Sequence, residues 1–184
     1  AHRFDENQSI EQIATTFNQL IEEKKILNWG ICKWPLDKAA ALMDFCDINK
    51  LKPPVGQQFQ FNLLNKDAER LSFPLFHSHN LPTIAYSTLA QGVLSGKYSN
   101  AIPINSRASK PFSKETMWDL SSDKIEKVKI WAKKISEKDL IPAHVALEFC
   151  LRRPEISMIL LGPRNKKQLY EIINSKKFSW HDFL

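Results

Sequence analysis

At 184 residues, 43% hydrophobic and 25% charged, the chain has the composition of one ordinary globular domain, large enough to bury roughly 70% of its unfolded surface without staples. The formal charge of +6 suits nucleic acid, anionic lipid or a phosphate-bearing ligand, but the basic pairs Lys24-Lys25, Lys133-Lys134, Lys166-Lys167 and Lys176-Lys177 are scattered over helix faces and ends, which argues against a nucleic-acid partner. Three cysteines with no CxxC exclude a disulfide scaffold, and with no apolar run of about eighteen residues and no leader pattern the expectation is a cytoplasmic protein without a membrane partner.

Ser9 and Gln12 form a capping-box pattern, and Ile10, Ile13, Ala14, Phe17, Leu20 and Ile21 follow at helical spacing, predicting a helix that ends near Lys24-Lys25. Residues Ile26 to Lys33 read as a buried strand before Pro35, and Asp37 to Asn49 as a helix. The alternation repeats: strand from Gln57 to Leu64, helix from Asp67 to His79, strand from Thr83 to Ser87. Ser122 to Lys138 and Ala143 to Arg152 read as helices, Ser157 to Leu161 as a fourth strand, and Lys166 to Asn174 as a last helix. Strands alternating with helices predict a parallel sheet covered by helices. The aperiodic stretch Ser99 to Asp119 exceeds an ordinary connection and reads either as a functional lid or as a surface insertion.

Two segments carry ligand chemistry. In Gly92-Val93-Leu94-Ser95-Gly96-Lys97-Tyr98 two glycines let backbone approach a ligand, with a Lys placed to meet negative charge. It is not a Walker A loop, which needs four residues between its glycines and Ser or Thr after the Lys, and no G-x-G-x-x-G occurs. In Gly162-Pro163-Arg164-Asn165 an apolar strand gives way to a helix, so N–H groups and the helix dipole would face an anion beside Arg164. In an eight-stranded βα barrel, phosphate is frequently held by the loops after strands seven and eight. His77 and His79 have no carboxylate or Cys close by, so no metal site is expected.

His2-Arg3-Phe4-Asp5, Gly30-Ile31-Cys32-Lys33-Trp34, Gln58 to Leu64, Ala85 to Gly92 and Gly162 to Asn165 with Gln168 resemble, in order, successive landmarks of the aldo-keto reductase superfamily. The most similar branch is that of bacterial NADPH-dependent reductases and potassium-channel beta subunits. The resemblance implies a TIM-type (β/α)8 barrel, of which residues 1–184 would be the C-terminal half, strands five to eight with their helices, the first three βα units being absent. It also implies hydride transfer between NADP(H) and a small carbonyl substrate, without metal. His2 corresponds to the family's active-site His, which orients the carbonyl. Cys32, Lys33 and Gln58 fall where the nicotinamide carboxamide is held, and Tyr86 where its ring stacks. Ser87, Leu89, Gln91, Gly92 and Lys97 fall along the pyrophosphate, and Gly162, Arg164, Gln168 and Glu171 at the adenosine end, with Arg164 on the 2′-phosphate. Trp34 and Trp118 are candidate substrate-pocket residues.

Four positions depart from the family. Cys32-Lys33 replaces the usual Ser-Asn, and a Cys is a weak hydrogen-bonding group. Ile172 stands where an Asn commonly follows Glu171, and Thr88 replaces a frequent Pro. The family's catalytic Asp, Tyr and Lys lie upstream of its His, so the chain alone is expected to be inactive for want of a positioned proton donor. The opening Ala1-His2, without an initiator Met, reads as a fragment of a full-length reductase. Self-association or pairing with an N-terminal half is the expected partnership. The alternative function is a non-catalytic nucleotide-binding or interaction module.

Overall fold

A computed structural model describes residues 1–110 and 120–174. Its contacts divide the chain into two compact units.

The first unit holds residues 1–61, 65–86 and 150–160 and contains the sheet. Helix α1 (Ile10–Glu22) begins where the capping box puts it: the Gln12 N–H donates to Ser9 Oγ and the Ser9 N–H to Gln12 Oε1, both at 3.1 Å. Replacing Ser9 with Ala is expected to cost about 1 kcal/mol, a fall of about 3 °C in thermal midpoint for a protein of this size, read from the circular dichroism melt. Phe17 turns inward from α1 and stacks on Trp29 with ring centroids 4.3 Å apart. Helix α2 (Leu36–Ile48) buries Ala39, Leu42 and Cys46 and packs against α1.

Strands β1 (Ile31–Cys32), β2 (Gln57–Gln60), β3 (Thr83–Tyr86) and β4 (Met158–Ile159) are all parallel, in the order β1-β2-β3-β4. The four expected strands are present but shorter than read. Residues 26–29 do not pair as strand: the Ile26 N–H closes the end of α1 on the Leu20 carbonyl, and Trp29 sends its indole N–H to the Lys52 carbonyl at 2.9 Å. The expected strand from Gln57 to Leu64 stops at Gln60. Beyond it, Asn62 donates to the Ser87 carbonyl and accepts from the Leu64 N–H, both at 2.9 Å, which turns the backbone out of the ladder. Among the described residues the four strands form an open parallel sheet; a closed barrel would take eight. Ala1 continues the ladder outside β1, its nitrogen donating to the Gly30 carbonyl at 2.6 Å and its carbonyl accepting from the Cys32 N–H at 3.0 Å.

One long helix from Asp67 to His79 is also corrected. There are two short ones, α3 (Asp67–Leu71) and α4 (Phe73–Ser78), because Pro74 has no N–H with which to continue the helix ladder. The break turns Phe73 and Phe76 onto the sheet, where Phe73 meets Phe59 edge-on at 5.5 Å. Gln57, Phe59, Thr83 and Ala85 form the buried face of β2 and β3, while Gln58, Gln60, Ile84 and Tyr86 alternate to a more open face. That open face, at the carboxyl ends of the strands, presents the site residues of this unit.

The second unit takes residues 62–64, 87–149 and 161 onward. Its core gathers Ala90, Val93, Leu94, Tyr98, Val128 and Ala146, from a 3₁₀ turn over Ala90–Ser95, helix α5 (Ser122–Ser136) and helix α6 (Pro142–Leu151). Pro142 opens α6, a position where its missing N–H costs nothing. Of the expected loop Ser99 to Asp119, Ser106 and Ala108 are buried and Ala108 packs in the core, so this part is not a loose insertion; residues 111–119 lie outside the described residues. Helix α7 (Lys166–Ile173) is capped by Asn165.

Candidate functional site

In the first unit the expected residues come together at the carboxyl ends of β1, β2 and β3. Cys32 pairs in register with Gln58, and Gln60 with Tyr86. The Cys32 thiol lies 3.7 Å from Gln58 Oε1 and donates to it. Burial pushes that thiol's pKa up, against the pull of Lys33 and Arg3, so it is a packed and protonated group rather than an activated nucleophile. Lys33 has a left-handed backbone, φ 55°, and donates its N–H to the Gln58 carbonyl at 3.1 Å. That turn carries its ammonium over the Tyr86 ring, 4.9 Å from the centroid. Burial, with the neighbouring Cys32, pushes the Tyr86 hydroxyl up to about 12. Tyr86 is therefore a neutral, half-buried ring at any working pH.

His2 is exposed and lines, with Cys32, Gln58 and Ile84, a hollow of about 510 Å³. Trp34 is buried edge-to-face against Phe4 at 5.0 Å, and it lines a second hollow of about 300 Å³ with Lys33, Gln60 and Tyr86. Trp118 lies outside the described residues. Arg3 was not singled out from the sequence, yet its charge acts on both Cys32 and Tyr86; the only signal for it was its place beside His2.

In the second unit, Ser87, Leu89, Gln91, Gly92 and Lys97 share one compact loop. Ser87, Ala90, Gln91, Gly92 and Gly96 all have positive φ, and the loop is tied by Ala90 N–H to Ser87 carbonyl at 2.7 Å and Gly92 N–H to Leu89 carbonyl at 2.9 Å. Gly92 is favoured by its left-handed backbone, and the end of the flexible Lys97 side chain lies against it. Its φ is +98°, and a Cβ there would lie 2.7 Å from Lys97 Nζ. The lysine ammonium therefore folds over bare backbone, a cradle that any side chain at position 92 would fill. This arrangement fits a phosphate, which needs a point charge and close backbone approach.

The Gly162 to Glu171 segment follows β4 and leads into α7. Gly162 is exposed, and a Cβ on it would meet nothing within 4 Å, so no close approach dictates this glycine. The start of α7 is closed by side chains: Asn165 Oδ1 accepts from the Gln168 N–H at 2.9 Å, and Gln168 Oε1 accepts from the Arg164 N–H at 2.7 Å. Gln168 is thus engaged in capping the helix. The Arg164 guanidinium donates to the Asn105 carbonyl and is otherwise on the exposed surface, as is Glu171. Asn105, in an aperiodic loop and remote in sequence, had no signal that could have found it. Among the described residues no cluster of three His, Cys, Asp or Glu side chains is placed to hold a metal, and no helix is long and apolar enough to cross a membrane.

The aldo/keto reductase family model matches residues 1–182. A Schizosaccharomyces pombe protein, named as a candidate voltage-gated potassium channel subunit beta, is 28% identical over 182 residues, which cover 97% of this chain and 53% of that protein. The chain spans about half the length of this curated relative.

Proposed function

Since the chain belongs to the aldo/keto reductase family, we propose that it provides the NADP(H)-holding part of an oxidoreductase that interconverts small carbonyl compounds and alcohols. On this reading its four strands are the C-terminal half of a (β/α)8 barrel. The observation that carries the proposal is the Lys97 ammonium folded over Gly92, where a Cβ would be only 2.7 Å away. A positive charge over bare backbone is the chemistry a pyrophosphate demands.

Each residue then has a defined task. Lys97 neutralises the pyrophosphate, and the left-handed residues Ser87, Ala90, Gln91 and Gly92 shape the loop around it. Arg164 supplies a planar, permanently charged fork to the 2′-phosphate, which distinguishes NADP(H) from NAD(H). Tyr86 offers its ring as a stacking surface, and Gln58 a side-chain amide to the carboxamide. When bound, the cofactor supplies or accepts the hydride. His2, which lines the 510 Å³ hollow, orients the carbonyl oxygen by hydrogen bonding.

The proton donor lies elsewhere. Of the chain's three tyrosines, Tyr86 is the stacking ring, Tyr98 is buried in the core and Tyr170 is exposed on α7. We therefore assign the general acid to a segment outside these 184 residues, reached through a longer protein, self-association or pairing with a complementary half, in the cytoplasm. With NADPH and an aromatic aldehyde, the chain alone is expected to show no loss of absorbance at 340 nm. Turnover by the chain alone would overturn that assignment. A second reading, a nucleotide-binding subunit without catalysis, is favoured by the name of the S. pombe relative. It predicts that the complete protein also binds NADPH without turnover.

A further inference from the structure

We propose that Lys33, resting on the nicotinamide-binding role given to Tyr86 above, makes this site discriminate between the redox states of the cofactor, holding the reduced form more tightly than the oxidised one. The geometry is specific. The Lys33 ammonium stands 4.9 Å from the centroid of the Tyr86 ring, within the range of a cation–π contact. The left-handed backbone at Lys33 and its N–H bond to the Gln58 carbonyl set the direction in which the side chain leaves β1.

The oxidised nicotinamide ring is a pyridinium carrying a full positive charge, whereas the reduced dihydropyridine is neutral. A ring that stacks on Tyr86 shares the same π system with the Lys33 ammonium. For the pyridinium this sets two cations on one quadrupole, each weakening the other's attraction, and adds their direct repulsion at short range. For the neutral ring neither cost arises. Arg3, whose charge is felt at both Cys32 and Tyr86, adds to the same field. Two acidic residues line the neighbouring hollows: Asp67 the one that Lys33 and Tyr86 share, and Asp5 one with Arg3. The Cys32-Lys33 pair, which departs from Ser-Asn, is thereby given a function: it exchanges polar contacts to the carboxamide for a charge that reads the ring.

The test compares dissociation constants for NADPH, NADP⁺ and adenosine 2′,5′-bisphosphate, measured by calorimetry on the unmodified chain and on Lys33→Gln and Lys33→Arg. The unmodified chain is expected to bind NADPH about tenfold more tightly than NADP⁺, equivalent to ~1.4 kcal/mol. Lys33→Gln should bring that ratio to within about twofold of unity, chiefly by tightening NADP⁺, and Lys33→Arg should retain it. Adenosine 2′,5′-bisphosphate, which has no nicotinamide, should bind all three alike, showing that each variant is folded. A ratio unchanged by Lys33→Gln overturns the inference while leaving the cofactor assignment standing. Failure of the bisphosphate and of both dinucleotides to bind the unmodified chain removes the cofactor assignment itself, and the inference with it.

Discussion

Arg164→Met is expected to raise the dissociation constant for NADPH about 30-fold while leaving that for NADH within about twofold. A guanidinium on a phosphate dianion makes charge-assisted hydrogen bonds worth about 1.5–3 kcal/mol, and ~2 kcal/mol corresponds to about 30-fold. Arg164 is exposed, and its side chain donates to the Asn105 carbonyl across the loop from Pro103 to Ser106. Anion binding therefore exchanges a neutral acceptor for a charged one, so the net gain sits within that range rather than above it. Loss of the Asn105 tie loosens a surface loop and not the core, and the circular dichroism melt of the variant should match the parent within about 1 °C. A uniform loss for NADPH and NADH would mean that Arg164 meets something other than the 2′-phosphate.

The largest expected loss of stability comes from Gly30→Ala. A Cβ at Gly30 would lie 2.8 Å from the Gly56 carbonyl oxygen, a backbone atom that cannot swing aside. That oxygen accepts the Ile31 N–H at 3.0 Å, so moving it strains the first rung between β1 and β2. Overpacking of this kind costs about 1–3 kcal/mol, and with a ladder bond strained as well the expectation is the upper end, a fall of about 6–9 °C in thermal midpoint. Gly162→Ala is the matched control, because a Cβ there meets nothing within 4 Å and the backbone is not left-handed. Differential scanning calorimetry of the two variants should show a clear fall in the first and no change beyond about 1 °C in the second. Equal midpoints would mean that β1 and β2 separate easily at this point.

The parts of this fold that were legible in the sequence are those whose cause is local. The Ser9–Gln12 capping box is reciprocal bonding within one turn, and it forms as written. The four strands and their parallel order follow from apolar runs alternating with helical ones. Pro74 carries a signal for the break between α3 and α4 that the reading of one helix from Asp67 to His79 does not use, since a proline inside a helical pattern removes a donor wherever it stands. What the sequence hid depends on partners that only the folded chain brings close. The apolar run 26–29 is drawn off to close α1 and to bury Trp29, which no periodicity announces. The loop from Ser87 to Gly92 puts the non-glycine residues Ser87, Ala90 and Gln91 at positive φ, which composition argues against. Lys33 over Tyr86 and Arg164 on Asn105 are contacts between different elements, set by strand register and loop path. For that reason the glycine at 92 could be read as a cradle from sequence, whereas Gln168 could be seen to cap its helix only in the structure.

On the proposed reading this chain itself holds the phosphates of NADP(H). Such binding is tested most directly by titrating the purified chain with NADPH, following the nucleotide's fluorescence, and then displacing it with adenosine 2′,5′-bisphosphate. Saturable enhancement is expected, which the bisphosphate reverses and which adenosine 5′-phosphate, lacking the 2′ group, reverses far less well. No saturable signal, or displacement by the two nucleotides alike, would contradict it.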